Sequence, residues 1–126
     1  MLEMGQGEHV LVIDDVDQQR VLAAKMLEKL GYKVETAESG DQAIEILKKT
    51  KVDLLLLDMI MDPKDGLDTY REILKMHPGQ KAIVVSGYSE TERLQEVLTL
   101  GAGAFLQKPY NFSRFASAVR AEIDRK

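Results

Sequence analysis

LLLLDMIMD, residues 54–62, is the stretch on which the fold turns. Four consecutive leucines show neither a helical period nor strand alternation. They read as a strand covered on both faces, the pattern of a parallel sheet. The run then meets Asp58. A carboxylate carried into an apolar interior without a partner is costly, and normally shifts its pKa or finds a countercharge. Asp58 therefore sits where the strand emerges, or is held there by other groups, and the rest of the sequence argues for both.

Outward from that stretch, short apolar runs alternate with longer amphipathic ones. HVLVI (9–13), KVETA (33–37), KAIVVS (81–86) and GAFLQ (103–107) join DLLLLD (53–58) as strands. Helical spacing fills the intervals. In 17–30, Leu22, Met26 and Leu30 recur every four residues and Gly31 ends the run as a C-cap does. In 39–49, Ser39 and Gln42 form a capping box and Ala43, Ile46 and Leu47 face inward. The segment 67–76 carries Tyr70, Ile73 and Leu74 inward and stops before Pro78. In 89–100, Ser89 and Glu92 make a second box, with Leu94, Val97 and Leu98 on one side. In 111–125, Asn111 caps and Phe115, Val119 and Ile123 form a seam. Five strands alternating with five helices predict an α/β fold with a parallel sheet, right-handed crossovers and helices on both faces. Functional groups in such folds gather at the carboxyl ends of the strands.

Composition removes several function classes. At 126 residues the chain fits one domain, with residues 1–7 as a flexible lead-in and 8–126 as the folded unit. The 17 Lys and Arg against 21 Asp and Glu give a net charge of −4 with no block of one sign. That balance argues against a nucleic-acid binder, which carries a basic face. No cysteine is present, so disulfide and thiolate chemistry are excluded. No apolar run approaches the roughly 18 residues of a membrane span, and the start lacks a signal peptide's pattern. A cytoplasmic protein is expected.

The strand ends carry the chemistry. The first strand ends in Asp14 and Asp15, the third in Asp58 and the fourth in Ser86; Lys108 and Pro109 follow the fifth. Each residue alone has an ordinary reading as a turn former, a helix cap or a solvated side chain. Together they place three carboxylates, a hydroxyl and an ammonium on one rim. Three adjacent acids need a countercharge, and Mg²⁺, or Mn²⁺ in its place, suits a few carboxylates plus a phosphoryl oxygen. Lys108 adds a positive charge and Ser86 a small donor. The set fits a phosphoryl group arriving on Asp58 as nucleophile.

These motifs resemble the receiver domains of two-component response regulators. VLVIDD resembles the family's acidic-pair strand and LLLLDMIMD…DG its phosphoacceptor strand and loop. AIVVSG resembles its hydroxyl strand, and GAGAFLQKPY its lysine-proline strand. The resemblance implies a flavodoxin-like doubly wound sheet with strand order 2-1-3-4-5. It implies that Asp58 takes a phosphoryl group from a phosphohistidine, with Asp15, Asp14 and the Ile60 carbonyl around the metal. Ser86 and Phe105 would form the switch, and the Lys108–Pro109 peptide would be cis. The implied partners are a histidine kinase or a histidine phosphotransfer protein. The output surface would be the fourth helix, fifth strand and fifth helix, covering Glu90 to Leu100, Phe105 to Gln107 and Asn111 to Ile123, for a partner or for homodimerisation. The lead-in and the loop after Asp58 look like those of receivers fused to hybrid sensor kinases; stand-alone and excised origins both stay open.

Departures and rivals qualify the resemblance. Asp62 stands where the family usually has proline, and either adds a carboxylate near the metal or caps the third helix. Ile60 and Tyr88 flank the path of the hydrolytic water, which predicts a long-lived phosphoryl group. A dehalogenase-type phosphatase needs a second aspartate at position 60, where isoleucine stands. A flavin binder needs a hydroxyl- and glycine-rich loop where Asp14 and Asp15 stand. A receiver used only for protein docking loses the acceptor, the acid pair or the lysine, and none is lost here.

Overall fold

A computed structural model describes residues 3–87 and 92–126. Five strands, β1 (His9–Ile13), β2 (Lys33–Ala37), β3 (Leu54–Asp58), β4 (Ala82–Ser86) and β5 (Ala104–Gln107), form one sheet in the order β2-β1-β3-β4-β5. All neighbours run parallel, with Val10 opposite Leu54, Leu55 opposite Ala82 and Val84 opposite Phe105. The helices are α1 (Asp17–Lys29), α2 (Gly40–Lys49), α3 (Gly66–Met76), α4 (Glu92–Leu100) and α5 (Phe112–Asp124). This is the expected three-layer arrangement.

The period of two explains the leucine run. Leu55 and Leu57 face a core shared with Ala43 and Leu47 of α2, Tyr70 and Ile73 of α3, and Leu94 and Val97 of α4. Leu54 and Leu56 face the opposite core, built with Ala23 and Leu27 of α1 and Phe115 and Val119 of α5. Both faces of β3 are buried, so no position in the run can be polar until the strand ends. Asp58 shares the parity of Leu54 and Leu56, and so points toward α1 and α5. The edge strand β2 is apolar only in part because only one neighbour covers it.

Caps delimit the helices. Ser39 Oγ accepts the Gln42 N–H at 3.0 Å, while Gln42 reaches back to the Glu38 N–H at 2.6 Å. Asn111 accepts the Arg114 N–H at 2.7 Å. Each such cap contributes about 1 kcal/mol. Gly31, with φ at +96°, ends α1 in the left-handed conformation that glycine adopts without strain. Ser89, expected to cap α4, lies outside the described residues, as do Tyr88 and Glu90.

Two expectations need correction. Leu22 is 59% exposed, and α1 packs through Ala23, Leu27 and Leu30 instead. Leu22 borders the open cavity beside α1, which it lines together with Ala23 and Met26. Asp62 is exposed and caps nothing; Asp65 caps α3, accepting the Asp68 N–H at 3.0 Å. The bends between Asp62 and Asp65 delay the helix by three residues relative to the acid that was expected to start it. Residues 3–7, read as a lead-in, hydrogen-bond to the end of α1, with Gly5 N–H donating to Leu30 O at 2.7 Å and Gly7 N–H to Gly31 O at 2.9 Å.

Candidate functional site: an acidic cluster at the strand ends

The carboxyl ends of β1, β3 and β5 bring the expected groups together. The β1–α1 loop is pinned by Arg20, whose Nη1 donates to the Asp14 carbonyl at 2.8 Å and whose other nitrogen pairs with Asp17. One oxygen of Asp14 accepts the Val16 N–H at 2.9 Å; the other lies 3.7 Å from Lys108 Nζ. Asp58 Oδ1 accepts the Ile60 N–H at 3.3 Å, and Asp58 Oδ2 also lies 3.7 Å from Lys108 Nζ. Asp14, Asp15 and Asp58 each offer a carboxylate oxygen, all within 4.8 Å of one another. Asp14 and Asp58 are both 7% exposed, whereas Asp15 faces solvent.

Lys108 reaches this cluster because its N–H donates to the Ser86 carbonyl at 2.8 Å, continuing the sheet one step past β5. The Lys108–Pro109 peptide that follows is cis, and Asp62–Pro63 is cis as well. Tyr110 next in the chain stacks on Phe115, with ring centroids 5.3 Å apart. Between α1 and the Pro109–Tyr110 segment lies a cavity of about 460 Å³ whose mouth holds Asp14, Asp58, Lys108 and Gln19. Ser86, 3% exposed, approaches from the other face, where it lines a smaller cavity with Met59, Met61 and Leu94. Phe105 is half-buried against the core on that same face. Ile60 is 54% exposed at the mouth, while Tyr88, its expected companion, lies outside the described residues. His9, at the opposite end of β1, and His77, bound to the Leu47 carbonyl, stand apart from the rim.

Two positions take on roles that the motifs did not assign them. Gly66 begins α3 directly over the acceptor: a Cβ there would lie 3.0 Å from the Asp58 carbonyl oxygen and 3.0 Å from Met59 Cα. The neighbours are backbone, so they yield only if the loop moves. Gly66→Ala will lower stability by about 1–3 kcal/mol, read as a shifted urea midpoint at unchanged slope. Gln19, on the exposed first turn of α1, accepts a hydrogen bond from Lys108 Nζ through Oε1.

The electrostatics follow from burial and crowding. Burial and then the Asp14 charge push the Asp58 carboxyl up to about 6, against the pull of Lys108 and the Ile60 N–H. A native carboxyl that keeps its proton above the unfolded value stabilises most at low pH. That contribution is lost as pH rises from about 4 to about 6. Asp65, which burial alone would raise, is lowered by Arg93 and by the Asp68 N–H, so its contribution has the opposite sign and fades in acid. Comparison with Asp58→Asn separates the two. The variant's advantage in melting temperature will grow between about pH 4 and about pH 6 and stay level above.

The sequence profile described as "Response regulator receiver domain" matches residues 10–120. The chain belongs to the response-regulator receiver family. It is 33% identical over 114 residues to the chemotaxis protein CheY of Thermotoga maritima, covering 90% of this chain and 95% of that one. It is 33% identical over 119 residues to the sensor kinase CckA of Brucella abortus, covering 93% of this chain and 13% of that protein's length. A CheY-like receiver domain from Methanospirillum hungatei superimposes with a TM-score of 0.88 at 26% identity, covering 94% of this chain and 95% of the other. Receiver domains are signalling modules that work with histidine kinases or phosphotransfer proteins and bind Mg²⁺ in an acidic pocket. The three carboxylates of this receiver, two of them buried beside each other, form such a donor set. No helix among the described residues is long and apolar enough to cross a membrane.

Proposed function

We propose that this receiver takes a phosphoryl group from a phosphohistidine onto Asp58 and relays it as a change of surface. The observation that carries the reading is the convergence of Asp58 with Asp14, Asp15 and Lys108 at the open end of the sheet. Asp58 attacks phosphorus, an O–P bond forms, the P–N bond to the imidazole breaks, and the leaving nitrogen takes up a proton. Mg²⁺ held by Asp14, Asp15, Asp58 and the Ile60 carbonyl would offset charge on the phosphoryl oxygens. Asp58 must be ionised to attack, and Lys108 and the Ile60 N–H favour that form. Lys108 moves from the carboxylates to a phosphoryl oxygen, and Ser86 donates to another.

The readout runs through the other face. Ser86 ends β4, the chain from it leads into α4, and Phe105 of β5 sits opposite Val84. Movement of Ser86 and an inward turn of Phe105 reshape the surface of α4, β5 and α5, which serves an output partner or a second copy. A coupling of about 1–3 kcal/mol suffices for such a switch. The donor docks at the mouth of the site, where Leu22 lines the same cavity as Asp58, Ile60 donates its N–H to Asp58, and both side chains are more than half exposed. Apolar groups so placed suit a helical kinase or phosphotransfer partner in the cytoplasm. Intact mass after incubation with Mg²⁺ and acetyl phosphate tests the reading. A magnesium-dependent gain of one phosphoryl group, absent from Asp58→Ala, is expected. No gain in folded protein would favour a docking module that is never phosphorylated.

A further inference from the structure

Lys108 stands in an unusual place for an ammonium between two carboxylates. Its Nζ is 3.7 Å from Asp14 Oδ2 and 3.7 Å from Asp58 Oδ2, equidistant and well outside the roughly 2.8 Å of a charge-assisted hydrogen bond. Its direct contact is to Gln19 Oε1, across the mouth of the cavity between α1 and Pro109. Arg20, the next residue, ties to the Asp14 carbonyl and to Asp17, which fixes the turn that carries Gln19.

We infer that Gln19 is a positioning residue for phosphoryl transfer, holding Lys108 off Asp58 in the resting protein and within reach of the incoming phosphoryl group. The inference rests on the phosphoacceptor reading of Asp58. An ammonium seated directly on Asp58 Oδ2 would block a nucleophilic oxygen and would have to be displaced first. Without Gln19, the acceptors nearest the ammonium among the described side chains are the Asp14 and Asp58 carboxylates, and it closes on them. Held by Gln19, it leaves Asp58 open and crosses only a short distance when the phosphoryl oxygens appear.

Gln19 is exposed, so its replacement leaves the core intact. The test compares Gln19→Leu, which keeps the bulk and loses the acceptor, with Gln19→Glu, which keeps an oxygen in its place. In metal-free protein labelled with ¹⁵N-lysine, the Lys108 Nζ resonance, assigned with Lys108→Met, should move in Gln19→Leu and hold in Gln19→Glu. The rate of phosphorylation by acetyl phosphate should fall roughly threefold to tenfold in Gln19→Leu and recover in Gln19→Glu. An unmoved resonance in Gln19→Leu, an unchanged rate, or no recovery in Gln19→Glu overturns the inference. If the parent takes up no phosphoryl group, the phosphoacceptor reading fails instead, and the Nζ resonance still decides whether Gln19 holds Lys108.

Discussion

Asp58→Asn will abolish phosphoryl uptake and at the same time leave the metal-free protein more stable than its parent, by about 2 kcal/mol at neutral pH. The two effects have one cause. Asp58 is 7% exposed and sits beside Asp14, so at neutral pH its ionised form is held against both burial and repulsion. An amide fills the same volume, accepts the Ile60 N–H through its oxygen, and carries no charge to repel Asp14. It is also too poor a nucleophile to take a phosphoryl group. Intact mass reads the first effect and urea melts read the second. A variant that loses uptake because it is destabilised would show that the site is stabilising in its own right and not strained for function.

Lys108→Met will slow phosphorylation by acetyl phosphate roughly a hundredfold without unfolding the protein, the scale of losing one charge-stabilising group in a transition state. Lys108 puts its ammonium 3.7 Å from both the Asp14 and Asp58 carboxylates, and its stem lies in the cavity mouth, where methionine can follow it. Its removal also takes away a charge that pulls the carboxyl of metal-free Asp58 down, so in the metal-free protein that group titrates higher than in the parent. Initial rates at saturating Mg²⁺ check the size of the loss, and the pH dependence of the metal-free melting temperature checks the shift. An unchanged rate would mean that Lys108 takes no part in the transfer.

The sheet was legible because β3 is buried on both faces, which leaves an unbroken leucine run that no helix or exposed strand would carry. The rim was legible for a related reason: a polar residue can follow such a run only where the strand emerges, so Asp14, Asp58 and Ser86 mark strand ends by their identity alone. Leu22 shares the four-residue spacing of Met26 and Leu30 yet is exposed, because the period marks a helix face and does not say which of its positions a neighbouring element covers. Asp62 and Asp65 were confused because several residues in that loop can cap, and the path of the bends decides which one does. Gln19 carries no pattern at all. Its partner is 89 residues away in the chain, and a glutamine on an exposed turn is ordinary until the fold brings Lys108 to it. Gly66 had a signal in the Asp65–Gly66 pair, but the reason for glycine is a close approach to the acceptor's own backbone.

Reductive trapping reads out the phosphorylated position itself. The protein is phosphorylated with acetyl phosphate and Mg²⁺, treated with borohydride, and digested for peptide mass mapping. An acyl phosphate on a carboxyl is reduced to the alcohol, so the modified position is written into the peptide. Homoserine is expected at position 58 alone, dependent on both donor and metal. Conversion at Asp14 or Asp15, or phosphoryl uptake that leaves position 58 intact, would contradict it.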